Sequence, residues 1–137
     1  VNSQLKFVKN FRKRDSMEKV LIIDDSAFAR SKTRRILENH GYSVVEVDSG
    51  EKALEIVRQD PPSVVTLDLL MPGMSGMETL QHLKAISPDL KVIVVTADIQ
   101  DQTRQEMLEA GADAFLNKPV MEADLVRSVE TLSGNAG

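Results

Sequence analysis

The sequence predicts an α/β fold, a (βα)5 doubly wound domain in which five parallel strands carry helices on both faces. Three observations predict it. Short apolar runs such as Val64-Val65-Thr66-Leu67 and Val92-Ile93-Val94-Val95 are too short for helices and too continuous for a sheet with one wet face, so they read as strands buried on both sides. Amphipathic helical patterns separate these runs, with Gly or Pro at most junctions. Alternating strand and helix requires right-handed crossovers and a parallel sheet covered on both faces.

In order along the chain, Val20-Leu21-Ile22-Ile23 is the first strand and ends in Asp24-Asp25-Ser26. A helix follows to about His40, with Ala29, Thr33, Ile36, Leu37 and His40 on one face and Lys32, Arg34 and Arg35 turned outward. Gly41 stops it. Ser43 to Val47 is the second strand; Asp48-Ser49-Gly50-Glu51 then starts a helix with Ala53, Leu54 and Val57 facing the core, closed by Pro61-Pro62. The third strand is Val64 to Leu67, and Asp68 follows it directly. A Leu-Leu-Met-Pro-Gly-Met-Ser-Gly loop leads to a helix from about Gly76 to Ile86, stopped by Ser87-Pro88. The fourth strand, Val92 to Val95, ends in Thr96-Ala97-Asp98. A polar helix from about Gln100 to Ala110 has Met107 and Ala110 as its inward positions. Asp113 to Asn117 is the fifth strand, followed by Lys118-Pro119, and a last helix runs to about Leu132 on Leu125, Val129 and Leu132. The expected strand order is the flavodoxin-like 2-1-3-4-5, adopted from known doubly wound sheets.

Composition narrows the function. A length of 137 residues suits one domain with a proper core. There is no cysteine, which excludes disulfides, thiol catalysis and zinc-thiolate sites. No apolar run approaches the roughly 20 residues of a membrane helix, and no secretory h-region is visible at the start, so a cytoplasmic location is the expectation. Residues 1–16 carry five basic side chains and Asp15, which leaves 12 basic and 20 acidic side chains in residues 17–137, a net charge of −8. Such a field repels phosphate backbones, so direct nucleic-acid binding is not expected. Residues 1–16 read either as a basic extension that docks on a partner or as a linker or cloning remnant ahead of the domain at 17–137.

If strands 1, 3, 4 and 5 are neighbours, Asp24, Asp25, Asp68, Thr96 and Lys118 open onto one crevice. An acid at such an edge caps a helix or turn, binds a metal, or acts as a nucleophile. Three acids facing a lysine are too many for capping alone, and packed together they raise one another's pKa unless a cation joins them. Ligands that are oxygen only suit a hard cation, Mg²⁺ first and Mn²⁺ as the alternative. A carboxylate beside such a cation and Lys118 is organised to receive a phosphoryl group. His40 and His82 lie apart from any ligand cluster, and Met71, Met74 and Met77 fill the loop-helix junction.

The chain resembles the receiver domain of two-component response regulators, at the single-domain, chemotaxis-regulator end of that family. The resemblance rests on Ile23-Asp24-Asp25-Ser26, on Leu67-Asp68-Leu69-Leu70-Met71-Pro72-Gly73-Met74-Ser75-Gly76, on Val95-Thr96-Ala97, and on the stretch from Ala110-Gly111 to Lys118-Pro119. It spans about 17–135, and the four motifs in this order, each after a strand, are highly specific. The resemblance implies that Asp68 is the phosphoacceptor and that Asp24, Asp25, Asp68 and the backbone carbonyl of Leu70 hold Mg²⁺. It implies that Thr96 is the switch hydroxyl, that Lys118 pairs with the phosphate before a cis Pro119, and that Phe115 is the switch aromatic. Leu70 and Asp98 flank the site and are expected to tune the phosphoryl lifetime.

The implied function is a phosphorylation-activated signalling switch. A sensor histidine kinase or phosphotransfer protein phosphorylates it, and it acts on a protein target through its fourth helix, fifth strand and fifth helix. A phosphatase is a further possible partner, and the state is a monomer or weak homodimer. No enzymatic activity is expected beyond catalysis of its own phosphorylation and dephosphorylation. An aspartate-nucleophile phosphatase is the main competitor, but its general acid would stand at Leu70. A phosphate-independent adaptor conflicts with the complete acidic site. A nucleotide or flavin site lacks a Gly-rich loop after the first strand.

Overall fold

The computed structural model describes residues 18–98 and 100–134; the basic stretch 1–16 lies outside the described residues. The elements alternate as the sequence predicts. They are β1 (Lys19–Ile23), α1 (Ala27–Asn39), β2 (Ser43–Val47), α2 (Gly50–Gln59), β3 (Val64–Leu67), α3 (Gly76–Ile86), β4 (Lys91–Thr96), α4 (Asp101–Glu109), β5 (Ala114–Asn117) and α5 (Glu122–Ser133). All neighbouring strands are parallel, in the order β2-β1-β3-β4-β5. The fourth strand is longer than expected and takes in Thr96.

The period-2 alternation of each strand divides the core into two layers. Leu21, Ile23, Val65, Leu67, Val92 and Val94 pack against Leu54, Val57, Leu80, Leu83 and Met107, so α2, α3 and α4 cover one face. Val20, Ile22, Val64, Ile93 and Val95 pack against Ile36, Leu37, Leu125 and Val129, so α1 and α5 cover the other. Every residue of β3 is buried, as a central strand requires, whereas no residue of edge strand β5 is fully buried.

Side-chain caps set where three helices begin. Ser26 Oγ accepts from Ala29 N–H at 3.2 Å, and Ser49 Oγ accepts from Lys52 N–H at 3.2 Å. At α3, Ser75 and Glu78 form a reciprocal capping box. Each such cap is worth about 1 kcal/mol. The N-caps of α4 and α5 make no side-chain cap bond. His40 departs from its expected inward position. It terminates α1 exposed, with Nε2 3.2 Å from Glu122 Oε2 at the start of α5, because it is the C-cap, where the backbone has already left the helix.

Backbone approach at α3 is tight enough to demand glycine. A Cβ on Gly76 would lie 2.6 Å from Leu69 Cα, which is main chain and cannot swing aside. We therefore expect Gly76→Ala to destabilise the fold by about 1–3 kcal/mol, measured by urea denaturation; an unchanged midpoint would contradict this packing.

Candidate functional site

The site is built from strand ends. β1 and β3 are adjacent, with Ile23 paired to Leu67, so the residues after them, Asp24 and Asp68, emerge side by side. Asp68 N–H donates to Ile23 O at 3.0 Å, which extends the ladder one step beyond the strand. Asp24, Asp25 and Asp68 each offer a carboxylate oxygen, and these oxygens lie within 4.8 Å of one another. Asp24 and Asp68 are only 7% and 5% exposed, while Asp25 faces solvent.

Lys118 closes the cluster from the far side. Its Nζ donates to Asp24 Oδ2 at 2.8 Å and to Asp68 Oδ2 at 3.1 Å. The remaining oxygens are also engaged. Asp24 Oδ1 accepts from Ser26 N–H at 2.8 Å and Asp68 Oδ1 from Leu70 N–H at 3.1 Å. Burial pushes the Asp68 carboxyl above its ordinary range; the Leu70 N–H and Lys118 oppose that rise, and the Asp24 charge adds to it. For Lys118, burial works to lower the pKa, but its hydrogen bonds to Asp24 and Asp68 outweigh it and the ammonium is held above its usual value. The Lys118–Pro119 peptide is cis.

Asp24, Asp25, Asp68 and Lys118 are thus brought together. Leu70 joins them through its N–H, with its side chain 59% exposed. Thr96, fully buried at the end of β4, accepts Asp98 N–H on Oγ1 at 3.3 Å and Lys118 N–H on its carbonyl at 2.8 Å. Phe115 is half-buried against the layer under α2, α3 and α4. Asp98 does not point a free carboxylate at the site: Oδ1 accepts from Gln100 N–H and Oδ2 from the Thr103 hydroxyl, both at 2.9 Å.

Two bracing residues escape a reading of the sequence. Arg30 Nη1 donates to the Asp24 carbonyl at 2.6 Å while its Nε reaches Glu46 on β2 at 3.3 Å, fixing the acidic turn from behind. Glu51 Oε1 accepts from Met74 N–H at 2.9 Å and holds the loop after Asp68. Arg30–Glu46 and Glu51–Met74 join residues far apart in sequence, and the Arg30 bond to Asp24 goes to a main-chain carbonyl that no side-chain pattern marks.

An all-carboxylate donor set with one exposed member fits a hard divalent cation that keeps part of its water shell. It is the one cluster of three or more metal-ligating side chains among the described residues.

The response regulator receiver domain model matches residues 20–130. The chain belongs to the response regulator receiver domain family. The response regulator MprA of Mycolicibacterium vanbaalenii is 35% identical over 114 residues, covering 83% of this chain and 49% of that protein. The chain therefore spans about half the length of the MprA relatives it matches. Protein CcdB of Bacillus subtilis is 35% identical over 120 residues, 87% of this chain and 100% of that one. The crystal structure of a CheY-like receiver domain protein from Methanospirillum hungatei superposes with a TM-score of 0.81 at 30% identity, covering 88% of this chain and 99% of the other. Membership in this family makes the chain a receiver domain of two-component response regulators, which implies phosphorylation-dependent signalling. Among the described residues no helix is long and apolar enough to cross a membrane.

The electrostatics of the site are measurable. The Asp68 carboxyl is expected to titrate above 3.8 in the metal-free protein, and Lys118→Ala to raise it further, because the ammonium favours the ionised form. A carboxyl-carbon NMR titration in the absence of divalent cations checks both; a midpoint that falls in Lys118→Ala would contradict the arrangement.

Proposed function

We propose that residues 17–137 form a phosphorylation-activated switch in which Asp68 accepts a phosphoryl group from the phosphohistidine of a sensor histidine kinase or phosphotransfer protein. The observation that carries this reading is a nearly buried carboxylate, Asp68, held against Lys118 Nζ at 3.1 Å and flanked by two further acids. A carboxylate in that setting is a nucleophile whose charge is balanced by a cation also able to receive phosphoryl oxygens.

In the transfer, an Asp68 oxygen forms a bond to phosphorus as the donor's P–N bond breaks, and the electron pair returns to the imidazole nitrogen. Lys118 passes from the Asp24 and Asp68 carboxylates to the phosphoryl oxygens, which carry more charge. Asp24, Asp25, Asp68 and the Leu70 carbonyl would hold Mg²⁺, or Mn²⁺ in its place, which supplies charge neutralisation on the transferring group. Thr96 turns its hydroxyl toward a phosphoryl oxygen, and Phe115 repacks inward beside it. The output surface comprises α4, β5 and α5, presented to a protein target in the cytoplasm by a monomer or weak homodimer. Apart from its own phosphorylation and dephosphorylation the domain catalyses nothing. Leu70 tunes the lifetime of the phosphoform by hindering the attacking water; Asp98 contributes by orienting that water or recruiting a phosphatase once its carboxylate leaves Gln100 and Thr103.

Intact-mass spectrometry tests the chemistry. With Mg²⁺ and acetyl phosphate the protein is expected to gain one phosphate and Asp68→Ala none; equal labelling of the two would sink the assignment. Leu70→Asn is expected to shorten the phosphoform's half-life several-fold, about 1 kcal/mol in the barrier, and equal decay rates would remove Leu70 from this role.

A further inference from the structure

Four hydrogen bonds converge on Asp98, and together they join three elements. Its N–H donates to Thr96 Oγ1 at 3.3 Å, and its carbonyl accepts from Asn117 Nδ2 on β5 at 3.1 Å. Its carboxylate accepts from Gln100 N–H and from the Thr103 hydroxyl, each at 2.9 Å. Gln100, the formal N-cap of α4, makes no side-chain cap bond, so Asp98 serves that end of the helix instead. The rest of α4 is weakly anchored, because Met107 is its single buried residue. A helix with one buried side chain takes its position largely from its end contacts.

We propose that Asp98, Thr103 and Asn117 form a latch that sets the resting position of α4, released when Thr96 Oγ1 turns away from Asp98 N–H. The inference rests on the phosphorylation of Asp68 for what turns Thr96, and it adds positioning residues outside the reacting site. Thr96 is fully buried, so its hydroxyl has few partners to choose among. A change to another staggered rotamer carries Oγ1 out of hydrogen-bond reach of Asp98 N–H. The amide then loses its acceptor, which favours movement of the Asp98 backbone; the carboxylate transmits that movement to Gln100 and Thr103, and the carbonyl transmits it to Asn117. Asn117 lies next to Lys118, whose own N–H is bonded to the Thr96 carbonyl at 2.8 Å. The latch thereby links the β4 and β5 ends of the site to the start of α4.

The test compares amide NMR spectra of the 1–137 chain with those of Thr103→Val and Thr103→Ser. Val and Thr have similar shape and helix propensity, so the first variant removes little besides the hydroxyl, and the second keeps it. In unphosphorylated Thr103→Val, α4 amides are expected to lie displaced along the line from the resting protein to the acetyl phosphate-treated one. The displacement reports an equilibrium moved about fivefold, the effect of one side-chain hydrogen bond. Thr103→Ser is expected to coincide with the parent. Thr103→Val spectra that coincide with the parent, or α4 shifts equal in the two variants, would overturn the latch. Thr96→Val in the unphosphorylated protein gives a readout that needs no phosphate: displaced α4 amides support the latch, and unmoved ones overturn it. A protein that fails to gain phosphate overturns the phosphorylation reading alone, while Thr96→Val still decides the latch.

Discussion

The structure depends on holding like charges together at one end of a parallel sheet. Asp24 and Asp68 are nearly buried beside each other, and the repulsion between two such carboxylates calls for a cation at their side. Lys118 supplies one, yet it follows β5, which is separated from β3 by one strand and from β1 by two. Neighbouring strands lie about 4.8 Å apart, so the bridge demands a long, flexible stem and a chain that turns inward after β5. A lysine meets the first requirement, and the bond from Lys118 N–H to the Thr96 carbonyl keeps its backbone against β4. Shortening the reach or changing the strand order would leave two buried carboxylates uncompensated.

That demand explains how much of the surrounding structure is bracing. Arg30 ties the Asp24 carbonyl to Glu46, so the turn after β1 is fixed from the outer strand β2. Glu51 holds Met74 from α2, and Gly50 and Gly76 allow α2, α3 and the loop after Asp68 to close up. A carboxylate cluster tolerates little positional scatter, because the repulsion it stores rises steeply at short distance in a low-dielectric setting.

Most of the fold was legible because local and global signals agreed. The continuous apolar runs at Val20, Val64 and Val92 announced strands buried on both faces, and the Gly and Ser residues that bound the helices matched the observed caps. Asp24, Asp25, Asp68 and Lys118 were legible as a site because strand order alone converts their sequence positions into proximity. Arg30 and Glu51 were not, since a lone charge on an amphipathic helix normally reads as solvated surface. His40 was misplaced because helical period continues past the point where a helix ends, and the last position on an apolar stripe can already lie in the cap. Asp98 was read for its nearness to the site, but the direction of its carboxylate depends on where α4 begins, and sequence patterns locate helix ends poorly.

The unevenness of the burial has a functional consequence. β3, which carries Asp68, is buried at every position, whereas β5 is half-exposed and α4 holds on by Met107. Local opening costs least where few apolar contacts must be broken. The proposed phosphoacceptor therefore follows the one strand buried at every position, and the elements proposed to report it sit at a half-exposed edge. Thr96 lies between the two: it is the last residue of β4, beyond the β3–β4 ladder whose last pair is Leu67 with Val94, and it pairs with Asn117 of β5. In the proposed switch a rotation of Thr96 meets a packed core on the β3 side, so movement toward α4 and β5 is the less costly direction.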